Sequence, residues 1–306
     1  MNTPPAPAVS GPEATRNRAA DAALAAVDAW LGSRPPLAAM SDARFLEALE
    51  AFEAASDQRG QIAAALSNRS LAPGPKDELA WLSIGCGGGD LDVAVAAALA
   101  ERFPRQRYVG VDPNEVECQR CRTLFAERFP QFEATVFAQG FENFDDDPQS
   151  FDLVYAAHTF YYVDDVGAAL ARGRRLLRPG GAFVVLHAPL GALNVLADRF
   201  WRAPRGRAVP YSDVVGRRLE GHGATPARSR IDAWLDVTEC VSRNGAGDAG
   251  PSTERGRAIL DFILQLDTTQ LPASVMRAVS RYLDAISHDE GPLRLAPHPV
   301  DAFVIR

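Results

Sequence analysis

Residues 80–92 read A-W-L-S-I-G-C-G-G-G-D-L-D, and no other stretch narrows the possible folds so far. A short apolar run predicts a buried strand. It breaks on Gly85, Gly87 and Gly89, and the amphipathic run 91–103 that follows predicts a helix. Strand, glycine turn and helix N-terminus together aim backbone N–H groups and the positive end of a helix dipole at a ligand. Glycine suits such a turn because a Cβ would block close approach or forbid positive φ.

The 306 residues are 47% hydrophobic and 23% charged, which is the balance of a globular chain with material for a sizeable core. A net charge of −7 argues against nucleic acid as a partner. No apolar run reaches the roughly 18–20 residues of a membrane span, so no membrane partner is expected. The start M-N-T-P-P-A-P-A-V-S-G-P has neither the basic nor the apolar region of a secretory signal, and residues 1–12 are expected to form a disordered leader. Four scattered cysteines make no disulfide framework, and a cytoplasmic location is the expectation.

Helical spacing over 13–68 predicts two or three helices, with Phe45, Leu46, Leu49 and Phe52 on one face, in an N-terminal helical cap expected to span 13–75. The tract 71–78 is a break. Strand and helix signals then alternate: strands at 107–111, 133–138, 151–156 and 182–187, helices at 115–128 and 165–177. This alternation predicts an α/β fold with a parallel sheet and helices on both faces. The expected division is a domain over 76–306, with a ligand-binding core at 79–188 and insertions at 189–298. Those insertions carry helices near 190–201, 211–221, 253–267 and 272–288, a strand over 231–237 and a Gly-rich break at 243–252. A last strand is expected at 300–305.

Two ligand classes use such a loop. A dinucleotide loop reads G-x-G-x-x-G, but the third glycine position falls on Asp90, whose charge would face a pyrophosphate. The alternative, G-x-G-x-G after the first strand and an acid ending the second, resembles the class I S-adenosylmethionine-dependent methyltransferases. Asp112 ends R-Y-V-G-V-D, where a carboxylate can accept both ribose hydroxyls; it could also cap the helix opening at Pro113. The resemblance implies a Rossmann-like, mostly parallel sheet with an antiparallel last strand, and S-adenosyl-L-methionine as cofactor. It places Ser83, Gly85, Cys86, Gly87 and Asp90 of the loop against that cofactor. Asp112 falls at the ribose, with Pro113 beside it, Gly140 and Phe141 at the adenine, and Ala157, at the end of the fourth strand, among the cofactor contacts. Phe141 packs either on the adenine or in the core.

A narrower resemblance is to the histamine N-methyltransferase-like group. It rests on L-S-I-G-x-G-x-G-(D/E)-x-D (82–92), F-Y-Y-V-D-D (160–165), Y-S-D-V-V (211–215), R-A-I-L-D-F-I (257–263) and D-A-F-V-I (301–305). That group places substrate contacts at or near Asp57 or Gln58, at His158 and at His298. Its aromatic residues after the fifth strand are not matched by G-A-L-N-V-L (191–196). A histidine near neutrality can accept a proton or orient an acceptor, so His158 and His298 are candidate bases or orienting groups. Of Tyr161 and Tyr162, one should pack in the core and one should line the pocket. His187 is expected to be structural, His222 and His288 solvated. Cys118 and Cys121 are read as an apolar helix face and Asp145–Asp147 as a solvated loop, so no metal site is expected. The expected activity is N-methylation of a small amine, imidazole or amino-acid-like molecule by a monomer or homodimer. Small-molecule or carboxyl O-methylation is the alternative, and a non-catalytic scaffold a lesser one.

Overall fold

A computed structural model describes residues 12–33, 40–68, 77–205, 209–241 and 250–306. Residues 1–11 of the expected leader, 71–76 of the first break and 243–249 of the second lie outside the described residues. The helices are α1 (Pro12–Leu31), α2 (Asp42–Ala54), α3 (Gln58–Ser67), α4 (Asp90–Ala100), α5 (Glu115–Arg128), α6 (Val166–Leu176), α7 (Leu193–Arg205), α8 (Ser212–Gly221), α9 (Glu254–Leu264) and α10 (Ala273–Ile286). The strands are β1 (Glu78–Ile84), β2 (Arg105–Asp112), β3 (Glu133–Ala138), β4 (Phe151–Ala157), β5 (Leu177–His187), β6 (Ala227–Ile231), β7 (Trp234–Asp236), β8 (His288–Glu290), β9 (Leu293–Pro297) and β10 (Val300–Ile305). No described helix is long and apolar enough to cross a membrane.

The chain divides into two units, one drawn from 1–57, 191–209 and 234–298, the other from 58–190, 210–233 and 299–306. The second unit holds a seven-stranded sheet in the order β3-β2-β1-β4-β5-β10-β6. β1 to β5 run parallel, and β10 is antiparallel to both β5 and β6. Strand alternation sorts its side chains into two layers. Leu79 and Trp81 share one buried cluster with Ile62 of α3, Val95 of α4 and Phe125 of α5, while Ala80, Leu82 and Ile84 share another with Leu170 of α6 and Val215 of α8. In the first of these layers the Tyr108 and Phe125 rings stack at 4.0 Å; such a pair adds about 0.5–1.5 kcal/mol beyond its buried area.

In the first unit α1, α2, α7, α9 and α10 enclose their own core around Val27, Phe200, Leu260 and Val279, beside a three-stranded sheet β7-β9-β8. Phe45 and Phe52 of α2 pack on Phe262, whereas Leu46, expected on the same face, is 52% exposed. Asp301, in β10 of the other unit, is buried beneath Arg228 and Arg230 of β6.

Three boundaries differ from the sequence reading. The helix α3 joins the sheet unit instead of the N-terminal cap, whereas α7, α9 and α10 of the expected insertions fall in the unit of the N-terminal helices. The run 231–237 is two strands, β6 and β7, in different sheets. The short strands β8 and β9 carry no alternation long enough to read, since β8 is only His288-Asp289-Glu290.

Candidate functional site

The chemistry-bearing residues of the sheet unit gather at the carboxyl ends of β1, β2, β4 and β5, the edge at which open α/β sheets bind ligands. β1 leads into the glycine loop. The Gly85 N–H donates to the Val111 carbonyl at 2.7 Å and the Gly87 N–H to Asp112 Oδ2 at 3.1 Å, so the loop is laced to the end of β2. Gly87 has φ +51, and a Cβ built there would meet nothing within 4 Å. Its backbone therefore faces open space, which fits a loop that a ligand approaches closely. Gly85 is restricted differently: with φ +71, its Cβ would collide with Thr159. The Thr159 hydroxyl donates to the Ile84 carbonyl at 2.9 Å, so it ties the start of the loop to the end of β4. Gly85→Val should displace Thr159 and lower affinity for the loop's ligand by about tenfold or more, read by calorimetric titration.

Asp112 is half-buried. Its Oδ1 accepts from Asn114 N–H at 2.9 Å, and Asn114, not Asp112, caps α5 by accepting from Val116 and Glu117. Both oxygens thus hold backbone, and the carboxylate keeps further lone pairs for hydroxyl donors. Asp90 opens α4 and pairs with Arg120 at 2.8 Å. A carboxylate at a helix N-terminus is favourable by itself and unsuited to a pyrophosphate.

Behind the loop lies Asp92, fully enclosed. Tyr108 donates to it at 3.0 Å, and Tyr155 and Ser83 also hydrogen-bond to it. Burial pushes its pKa up to about 7 against the pull of the Ser83 and Tyr108 hydroxyls. The Ser83 hydroxyl therefore serves this buried network and not the open face of the loop. Cys86, Cys118 and Cys121 are buried free thiols. Cys86 Sγ lies against Cys121, and that contact together with burial pushes its thiol far up, so it is held neutral and inert.

At the third strand's end, Gly140 is half-buried beneath the folded-back Glu142 carboxylate. Phe141 is in the core, 6.5 Å from Phe144 and under the Arg172 guanidinium, the core alternative of its two readings. Ala157 ends β4 half-buried, and Pro113 is exposed.

His158 follows with φ +54, a left-handed backbone uncommon for a side chain of this size. Its N–H donates to the Leu186 carbonyl at 2.9 Å, and its Nε2 lies 2.9 Å from Gln58 Oε1. Burial lowers its pKa from 6.5 to about 4. Gln58 is itself buried, so α3 supplies this ring's partner. Tyr161 lies parallel to His158 at 6.3 Å and packs on His187 at 4.0 Å, whereas Tyr162 is 80% exposed.

The other candidates lie in the first unit. Asp57 is exposed, and its Oδ1 accepts from Trp234 N–H at 2.7 Å. His298 Nδ1 is 3.0 Å from Ser56 Oγ, and its ring meets Phe52 edge-on at 5.1 Å. Sequence reasoning missed Thr159, Arg120 and the surroundings of His187. Thr159 was visible only as the residue beside His158, and its glycine partner is 74 positions earlier in the chain.

A methyltransferase domain model matches residues 82–183. Histamine N-methyltransferase of Cavia porcellus is 22% identical over 211 residues, which cover 63% of this chain and 68% of that protein. A ubiquinone biosynthesis O-methyltransferase of Rhodopseudomonas palustris is 33% identical over 112 residues, 35% of this chain and 39% of that protein. Among solved structures, a geranyl diphosphate methyltransferase in complex with SAM matches at a TM-score of 0.46 and 14% identity, over 80% of this chain and 84% of its own.

Proposed function

We infer that this chain, a class I S-adenosylmethionine-dependent methyltransferase, methylates a small molecule, and that the methylated atom is nitrogen of an amine, imidazole or amino-acid-like compound. The observation that carries the reading is the open backbone at Gly87 laced to Asp112, a cradle with hydroxyl-accepting capacity and with the Asp90 carboxylate where a pyrophosphate would need a glycine. Gly85, Cys86, Gly87 and Asp90 would hold the methionine part of the cofactor, Asp112 its ribose, and Gly140 its adenine. When bound, the cofactor supplies a methyl group on cationic sulfur, and the protein contributes alignment and exclusion of water. The acceptor is taken to enter beside His158 and Tyr161, and the enzyme is taken to be cytoplasmic.

His158 supports an orienting role. With Gln58 Oε1 accepting the Nε2 proton, Nδ1 carries the lone pair and can accept a hydrogen bond from an N–H. A ring whose pKa is about 4 takes a proton reluctantly near neutrality, so it aligns the acceptor more than it deprotonates it. The rate with wild type should then be flat down to about pH 5 and fall near pH 4. An inflection at the ordinary histidine value instead would reject the buried, neutral role. His158→Phe is expected to lower kcat about 10- to 100-fold.

Oxygen is the second reading, since an O–H would serve the same lone pair and one relative of 33% identity is named for O-methylation. Isothermal titration with S-adenosylhomocysteine tests the cofactor assignment, and no binding would sink the enzymatic reading in favour of a scaffold. A metabolite extract incubated with methyl-labelled cofactor, with the product located by mass, then distinguishes nitrogen from oxygen.

A further inference from the structure

His187 ends β5 with its ring fully buried, directly across the sheet edge from His158. Ala157 pairs with Leu186 in register, and the His158 N–H donates to the Leu186 carbonyl, so the two histidines terminate adjacent parallel strands. The partner of His187 Nε2 is the Pro210 carbonyl at 2.7 Å. A carbonyl can only accept, so Nε2 carries the proton and Nδ1 carries the lone pair. That Nδ1 is buried and has no hydrogen-bond partner among the described residues. A buried acceptor without a donor is destabilising, and this one lies at the carboxyl edge of the parallel strands.

The groups around it do not supply the missing donor. The Tyr161 ring packs on His187 at 4.0 Å and its oxygen accepts from the Ala188 backbone, but no hydrogen bond joins its hydroxyl to Nδ1. Asp301 stands opposite His187 in β10, where its carboxylate is taken by Ser212, Arg228 and Arg230. The paired strand ends thus present two neutral imidazoles, His158 and His187, each with its proton on Nε2 and its lone pair on Nδ1.

We propose that His187 is a second substrate-orienting group, and that the two Nδ1 lone pairs select a methyl acceptor presenting N–H or O–H donors while rejecting carboxylates and phosphates. The proposal rests on the small-molecule methyltransferase reading and narrows it. An anion placed against the two Nδ1 atoms would face two lone pairs, so it could pair with them only by protonating a ring. Burial opposes that, since both rings are held well below their ordinary protonation range. A donor-bearing acceptor would instead pair an atom that otherwise remains unpaired, a source of selectivity that an apolar pocket lacks. Carboxyl O-methylation is thereby disfavoured, and amines, imidazoles and phenols are retained.

The test uses the full chain with 15N-labelled histidine, saturated with S-adenosylhomocysteine and titrated with imidazole, phenol and benzoate. Imidazole or phenol should shift the His187 Nδ1 resonance saturably toward its hydrogen-bonded position, and benzoate should not. His187→Gln keeps a donor for Pro210 and loses the Nδ1 acceptor; it should retain the thermal midpoint and bind the donor probe about tenfold more weakly. His187→Asn keeps an acceptor at that place and should bind more tightly than the Gln variant. The proposal is overturned if no donor probe moves Nδ1, if benzoate binds as well as phenol, or if Nδ1 is already hydrogen-bonded to solvent before any probe is added. Failure of S-adenosylhomocysteine to bind would count against the methyl-donor reading, while the probe titration without it still reports on His187.

Discussion

Asp112→Ala is expected to weaken S-adenosylhomocysteine binding at least about 100-fold while leaving the chain folded. The carboxylate acts twice. It would accept ribose hydroxyls, and its Oδ2 fixes the Gly87 N–H at 3.1 Å, so the loop's open face is shaped by the same side chain that would meet the sugar. Hydrogen bonds to a charged group contribute about 1.5–3 kcal/mol each, and every 1.4 kcal/mol is tenfold in affinity, so two of them lost exceed 100-fold. The fold should survive because Asn114, not Asp112, caps α5, and β2 is held by pairing to β1 and β3 on either side. Asp112→Asn, which keeps an acceptor for Asn114, should fall between. Calorimetric binding within threefold of wild type for the alanine variant would remove Asp112 from the cofactor site.

That residue also shows why part of the site was legible before any coordinates. A glycine loop and an acid one strand later are local signals, each fixed by the turn in which it sits, and the alternation between them reveals the parallel sheet. What depended on partners distant in sequence was not legible. Gly85 needs its hydrogen because of Thr159, and His158 is held by Gln58, 100 residues away along the chain. Ser83 looked like a loop residue because of its spacing, yet the buried carboxylate of Asp92 draws its hydroxyl into the core. The run 231–237 looked like one strand because its apolar alternation continues through the point where the chain leaves one sheet for the other. His187 looked structural for the sound reason that it ends a buried strand. Only the forced tautomer and the empty Nδ1 give it a further role.

The double substitution Arg228→Met with Arg230→Met should cost more stability than Asp301→Asn, about 3–5 against about 1–2 kcal/mol in urea titrations at pH 7.5. Asp301 is buried in β10 and accepts from Ser212 at 2.5 Å, Arg228 at 2.5 Å and Arg230 at 3.0 Å. The two arginine side chains are half exposed, so losing Asp301 lets them rehydrate. Losing the arginines instead leaves a carboxylate enclosed with one hydroxyl. The pH dependence separates the cases by sign. In wild type, burial would raise the Asp301 pKa, but Ser212 and the two arginines together hold it below its ordinary 3.8. Its stabilisation is therefore present above that value, is lost only as pH falls through the depressed one, and stays constant between pH 7.5 and 5. Without the arginines, burial prevails and the pKa rises above its unfolded value. The double variant then binds a proton more readily folded than unfolded, so its deficit should shrink as pH falls toward 5. A deficit that stays constant or grows over that range would mean that the arginines do not hold the charge at the end of β10, and that Asp301 opposite His187 owes its ionisation to another source.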